Sequence, residues 1–362
     1  MTSSVANADC GNLCTWSWWT TATEDSLKSE IAKGSDINGR NIHDGDTPLH
    51  ESSMYGNSAL IEILLEHGAK TEALNGFDYT PLQSASRYGS SSTRSERINT
   101  LIKAGANIHV ETNSGASSIL LVLETGDYNH SPSLKSVKSL LDAGTDVNKA
   151  DNQGITPLHL ASKYASPEVV KLLIEEGADI FALDSNQNSA LHYASEGKSS
   201  ENIKLLISEG ADINSKNVLG LTPLHRASSM NRFENVKTLL ELGSNVSETD
   251  IHGTTPIFHS LKSAAVENNR TLMHAGSFSK QDRLEIINLL ISAGSNVNHS
   301  SNNSDRPLHY AAQFGTDEDI KILIKSGSDI GSTNQINETA FDVAKGNERV
   351  RSTKIYWELN PN

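Results

Sequence analysis

Thirteen histidines and two cysteines are the side chains of this 362-residue chain best suited to metal binding or proton transfer. Five of the histidines stand fourth in a recurring tetrad: Thr47-Pro48-Leu49-His50, Thr156-Pro157-Leu158-His159, Ser189-Ala190-Leu191-His192, Thr222-Pro223-Leu224-His225 and Arg306-Pro307-Leu308-His309. A fixed slot points to architecture and not to chemistry. The other eight (His43, His67, His109, His130, His252, His259, His274 and His299) form no HExxH pair that would place two imidazoles on one helix face. There is no Walker loop, GxSxG elbow or strand-linked GxGxxG. Cys10 and Cys14 are the only thiols. A zinc site needs about four ligands, and no further Cys or His stands near them, so they read as two reduced thiols in a loose tail, which suits a reducing compartment. No catalytic residue, metal or cofactor is expected, and the chain reads as a non-enzyme.

The elements that carry the tetrads explain the spacing. Asp151 to Ile180 holds one complete unit. Asp151 to Gly154 is a turn signal, Thr156 caps a helix that Pro157 opens, and Pro167 opens a second helix. Val169, Val170, Leu172, Leu173 and Ile174 give that second helix a broad apolar stripe, and Gly177 ends it. Two helices this short and this apolar need stacked neighbours. The neighbours are Thr80-Pro81-Leu82-Gln83, Thr255-Pro256-Ile257-Phe258, Thr339-Ala340-Phe341-Asp342 and a weak Ser117-Ser118-Ile119-Leu120, with a 33-residue step from 156 to 189 to 222 to 255. On tetrad, period and the Gly-Ala-Asp element, residues 21 to 362 resemble the ankyrin-repeat family. The resemblance implies an all-α solenoid of stacked helix-turn-helix units with hairpin-like connections. It also implies that the tetrad histidine is a hydrogen-bonding post at the helix start.

The expected organisation is a tail or degenerate cap over residues 1–20, then one array over 21–362. That array comprises a half repeat at 24–40, repeats starting near 42, 75, 112, 151, 184, 217, 250 and 301, and a capping repeat at 334–362. The count from each closing glycine to the next tetrad is 12 throughout, apart from 13 between Gly34 and Thr47. The count from tetrad to closing glycine is 21 in five repeats but 25, 27 and 39 in those starting at Thr80, Ser117 and Thr255. The excess falls between the two helices, the longest stretch being about 266–283. Extending a turn of about four residues by 18 adds on the order of 1.5 kcal/mol, so tolerance alone could explain it. Its Met273 and Phe278 still offer an apolar contact surface, unless they fold back on neighbouring helices or the insertion simply lengthens the helices. Trp16, Trp18 and Trp19 read either as a hydrophobic cap over the first repeat or as a tail motif that inserts into a partner.

The formal charge of −14 disfavours nucleic acid and anionic lipid. No apolar run approaches the roughly 18 residues of a membrane span, and no signal peptide is read at the N-terminus. A cytoplasmic, monomeric chain is expected, with secretion by a non-classical route left open. The functional surface is then a protein-binding face. In ankyrin repeats the positions free for recognition are the turn before the tetrad and those seven and eight after its first residue. Mapped here, they give Met54 and Tyr55, then Phe77, Tyr79, Arg87 and Tyr88, then Tyr164 and Met230. Large aromatics and arginine are what interface hot spots use. The leading reading is a protein-binding module that engages a macromolecular partner through its concave face. The alternatives are an inhibitor or immunity-type protein that uses the long insertion as a plug, or a secreted host-directed effector.

Overall fold

Prolines set where the first helix of most repeats begins. Pro48, Pro81, Pro157, Pro223, Pro256 and Pro307 each open a helix, where a missing N–H leaves nothing unpaired. The residue before them is extended, and the Thr80, Thr156 and Thr222 side chains accept from the backbone N–H three residues on. Glycine closes the second helices. Gly68, Gly105, Gly144, Gly177, Gly210, Gly243, Gly294 and Gly327 all sit at φ between 85° and 98°, the left-handed region that other residues seldom adopt.

The computed structural model describes residues 10–88, 91–124, 132–264 and 279–360. It falls into two compact units, Met1–Asp179 and Ile180–Asn362. The first opens with a 3-10 turn at Gly11–Cys14, followed by α1 (Trp16–Trp19) and α2 (Glu24–Ala32). Four helix pairs follow: α3 (Pro48–Tyr55) with α4 (Ser58–Glu66), α5 (Pro81–Arg87) with α6 (Ser91–Lys103), α7 (Ser118–Leu123) with α8 (Leu134–Asp142), and α9 (Pro157–Tyr164) with α10 (Pro167–Glu175). The second unit has α11 (Ala190–Glu196) with α12 (Ser200–Ser208), α13 (Pro223–Ser229) with α14 (Phe233–Glu241), α15 (Pro256–Ser263) with α16 (Lys280–Ser292), and α17 (Pro307–Phe314) with α18 (Asp317–Lys325). It closes on α19 (Ala340–Ala344), α20 (Glu348–Arg351) and α21 (Lys354–Glu358). Among the described residues there is no strand, only isolated bridges at Leu183–Ser189 and Thr333–Thr339. The fold is an all-α solenoid of helix pairs. No helix among the described residues is long and apolar enough to cross a membrane.

Within each unit, first helices pack on first helices and second on second, with Leu49, Leu64, Leu82 and Leu101 among the fully buried residues of the first. The connecting turns are joined backbone to backbone. Gly76 donates to the Asp44 carbonyl at 2.6 Å, and Ile251 to the Leu219 carbonyl at 3.0 Å. A Cβ on Gly76 would meet that Asp44 carbonyl at 2.7 Å, so only glycine lets these two turns approach. In several repeats an asparagine beyond the helix pair clamps the next glycine turn. Asn38 donates to the Gly68 carbonyl and accepts from Lys70 N–H, while Asn298 donates to the Gly327 carbonyl and accepts from Asp329 N–H.

Two insertions are absorbed partly as helix. α6 and α16 each run 13 residues against nine for α4, α10 and α12, so an extra turn stands at their N-terminal ends. Lys280–Arg283 therefore belongs to a helix and not to a loop. Most of the insertion, including Met273 and Phe278, lies outside the described residues.

At the N-terminus the structure corrects one expectation. Cys10 and Cys14 are not free thiols but a disulfide, with Cα atoms 5.6 Å apart. The 3-10 turn brings them together, and the argument for a reducing compartment loses its premise. Leu13, on the same turn, is fully buried, and the indole of Trp19 donates to its carbonyl at 3.0 Å. Trp19 thus covers the end of the array as a cap. Trp16, on the same short helix, faces outward.

Candidate functional site

The tetrad histidines make the same two bonds in repeat after repeat. His50 Nδ1 accepts from Thr47 N–H at 3.2 Å, and its Nε2 donates to the Tyr79 carbonyl in the next repeat at 2.8 Å. His192 does so with Ser189 (3.2 Å) and Leu221 (2.9 Å), His225 with Thr222 and Thr254 (both 3.1 Å), and His309 with Arg306 (3.2 Å) and Glu338 (3.1 Å). A ring nitrogen that accepts from a backbone amide must be unprotonated, so each imidazole is neutral with its proton on Nε2. Burial pushes His50 and His192 down to about 4 and His225 down to about 3. Gln83 fills the slot with an amide, accepting from Thr80 N–H at 2.9 Å and donating to the Val110 carbonyl at 3.0 Å. A role that glutamine performs equally needs no proton transfer.

One position further on, a second cross-link recurs. Tyr193 donates to Asp184 at 2.9 Å, and His259 Nε2 lies 2.9 Å from Asp250. Burial works to raise the Asp250 carboxyl, but the bonds from His259 and Thr254 outweigh it and hold it below the usual carboxylate range. Taken alone, His259 and Asp250 resemble half of a catalytic triad. The tyrosine in the same slot identifies the pair as a brace on the turn. Among the described residues, no group of three or more His, Cys, Asp or Glu is placed to hold a metal ion.

The first unit gathers exposed aromatic side chains. Phe77 is 60% exposed, at the tip of a turn held by Asn75, which accepts from Phe77 N–H (3.0 Å) and Tyr79 N–H (2.9 Å). Asp78 beside it takes φ 60°, which turns the tip outward. Tyr79 is half-buried. Tyr55 ends α3 at 40% exposure and Tyr88 follows α5 at 41%. Trp16, 61% exposed, tilts against Tyr55 with ring centroids 6.0 Å apart. Arg87 Nη1 donates to Glu124 at 2.7 Å and its guanidinium lies 5.7 Å from the Tyr88 ring. Trp16 therefore joins the aromatic set through the cap, an association the repeat pattern does not contain.

The remaining residues separate from this group. Met54 is only 6% exposed, so its side chain is spent inside the unit. Tyr164 is half-buried beneath Lys163, 5.2 Å from its ring, and Met230 is half-buried at the end of α13 in the second unit. Pattern reading missed Glu51, which is buried one helical turn before Tyr55 on α3, and the fully buried Arg283. Aligning the position after the tetrad exposes Glu51, the single acid among Glu51, Ser84, Leu121, Leu160, Tyr193, Arg226, His259 and Tyr310.

Comparison with known proteins places the repeats in the sequence. The family description "Ankyrin repeats (3 copies)" matches residues 21–112, 128–217 and 251–334, and "Ankyrin repeat" matches 219–251. The mouse protein "Protein phosphatase 1 regulatory subunit 12A" is 42% identical over 60 residues, 17% of this chain and 6% of that protein. "Putative ankyrin repeat protein FPV223" of fowlpox virus is 29% identical over 135 residues, 37% of this chain and 87% of the viral one. The Arabidopsis "Putative E3 ubiquitin-protein ligase XBAT31" is 28% identical over 174 residues, 46% of this chain and 35% of that protein. The matched segment thus covers a small part of the phosphatase subunit and about a third of the ligase.

Proposed function

Because the chain belongs to the ankyrin-repeat family, we propose that it is a non-enzymatic protein-binding module whose recognition surface lies in the first unit, at the Phe77–Tyr79 turn with Tyr55, Arg87 and Tyr88. The observation that carries this reading is the exposure of Phe77 at a turn tip, where no core exists for it to fill. Scaffold demands account for the tetrads, glycines and clamping asparagines. They do not account for an exposed phenylalanine beside a tyrosine on a turn, and exposed aromatics with a positioned arginine are what interface anchors are made of. The tetrad histidines are spent on the stack, which supports a binding role over a catalytic one. The whole-protein activities of the phosphatase subunit and the ligase are not carried over, since the match covers 6% of the one and 35% of the other.

The experiment is co-purification from the native source with the full chain as bait, comparing wild type with Phe77→Ala/Tyr79→Ala. Retention of Tyr79's backbone keeps the His50 bond, so the variant is expected to stay folded by thermal melt. Loss of the specific prey supports the assignment. Prey retained by a folded variant contradicts it.

A further inference from the structure

Glu51 is where the repeated brace fails to balance. In two repeats of the second unit the slot after the tetrad supplies a donor, Tyr193 or His259, to a carboxylate on the turn, Asp184 or Asp250. In the first full repeat the roles are exchanged. The turn residue is Asn41, and Glu51 brings the carboxylate, accepting from Asn41 Nδ2 at 3.0 Å through Oε1 alone. Its Oε2 is buried with no hydrogen-bond partner, on a side chain 3% exposed. Two more acids stand by it. Asp46 is buried and accepts from Asn75 at 2.8 Å, and Asp44 is exposed. Burial, opposed by one bond from Asn41 and reinforced by Asp46 and Asp44, pushes the Glu51 carboxyl up to about 7.

The neighbouring cations are engaged elsewhere. Arg40 donates to the Gly45 and Leu74 carbonyls, and Arg87 is tied to Glu124. Tyr55 stands one helical turn beyond Glu51 on α3, on the same face. Its phenol is raised first by burial and then by Glu51, Asp46, Tyr88 and Asp44, so these groups share one neighbourhood. Trp16 flanks Tyr55 from the cap. Aromatic faces attract a cation through their quadrupoles. A carboxylate lacking a full set of partners is costly to bury until an opposite charge arrives. An acidic partner side chain would be repelled, and an apolar one would leave the Glu51 charge unmatched.

Resting on the binding face proposed above, we infer that the surface formed by Trp16, Tyr55, Tyr88 and Asp44, with Glu51 buried beneath it, seats a lysine or arginine side chain of an extended partner segment. The aromatic rings hold the cation and Glu51 and Asp44 supply its countercharge. The cation need not touch Glu51, because attraction through a poorly hydrated interior reaches several ångströms.

A random dodecapeptide phage library selected on the full chain tests this. The expected winners carry Lys or Arg at a recurrent position. Their affinity falls at least tenfold in Glu51→Gln, an isosteric change that keeps the Asn41 bond, and in Tyr55→Ala, while Glu62→Gln and Glu176→Gln, exposed acids of the same unit, change it less than twofold. Recovery of no peptide, winners without cationic residues, or equal loss in the control acids overturns the inference, the last meaning only general attraction to an acidic chain. Peptides that ignore Glu51→Gln and Tyr55→Ala yet are lost on Phe77→Ala/Tyr79→Ala overturn the cation seat and leave the binding face standing. Peptides insensitive to all these changes remove both.

Discussion

Arg283, in the added first turn of α16, forms a fully buried ion pair with Asp319 of α18, with Nη2 to Oδ2 at 3.0 Å and Nε to Oδ1 at 3.3 Å. Asp319 also accepts from the Thr316 amide (2.7 Å) and hydroxyl (3.0 Å), so one carboxylate caps its own helix and receives the neighbouring guanidinium. The extra helical turn is thereby locked to the next repeat. Removing one partner of a buried pair strands the other, so Arg283→Ala is expected to cost about 3–5 kcal/mol. Arg283→Met with Asp319→Asn, which removes both charges and keeps an acceptor for Thr316, is expected to cost less. Urea denaturation of the three proteins checks the order. A double variant weaker than the single one contradicts it.

The folded array should weaken on acidification through its histidines. His50, His192 and His225 have folded values near 4, 4 and 3 against 6.5 when free. The unfolded chain therefore binds the extra protons first. Stability is full above 6.5 and falls as pH drops from there toward about 4, by at most about 1.4 kcal/mol per pH unit for each histidine. Glu51 works the other way: its raised value gives stability that is full below about 4.5 and lost as pH rises through about 7. Melting temperatures at pH 7, 6 and 5 should fall for wild type and fall less steeply for His192→Gln, the residue already used at Gln83. Parallel slopes in the two proteins contradict this account.

Reduction of Cys10–Cys14 should loosen the cap only modestly. The bridge closes a loop with a sequence separation of 4, for which chain entropy gives about 2 kcal/mol. Melts with and without dithiothreitol should differ for wild type and coincide for Cys10→Ser/Cys14→Ser. An equal response of both proteins to reductant places the effect elsewhere.

The features legible in the sequence are those that backbone geometry imposes on residue type. Pro157 can stand only where an N–H is dispensable, Gly177 where φ is positive, and Thr156 where a helix start lacks an acceptor. That is why tetrad, period and fold class could be read directly. Side-chain partnerships across repeats leave no such mark. Nothing local separates a buried Arg283 from an exposed one, because Asp319 lies 36 positions on. The cysteines, four apart, read as a loose tail because the 3-10 turn folded under Trp19 has no periodic signature. Met54 and Tyr55 are adjacent in sequence, yet one is buried and the other half outward. The family positions mark both, and helix rotation divides them.

The central claim is that recognition resides in the aromatic face of the first unit. It is tested most directly by isothermal titration of the recovered partner against Phe77→Ala/Tyr79→Ala and, as control, Leu219→Ala/Ile251→Ala, which removes exposed turn residues of the second unit. An anchor is worth about 2 kcal/mol, or roughly 30-fold in Kd. The account predicts at least that loss in the first variant and less than a twofold change in the second. Unchanged affinity in the first, or the larger loss in the second, would contradict it.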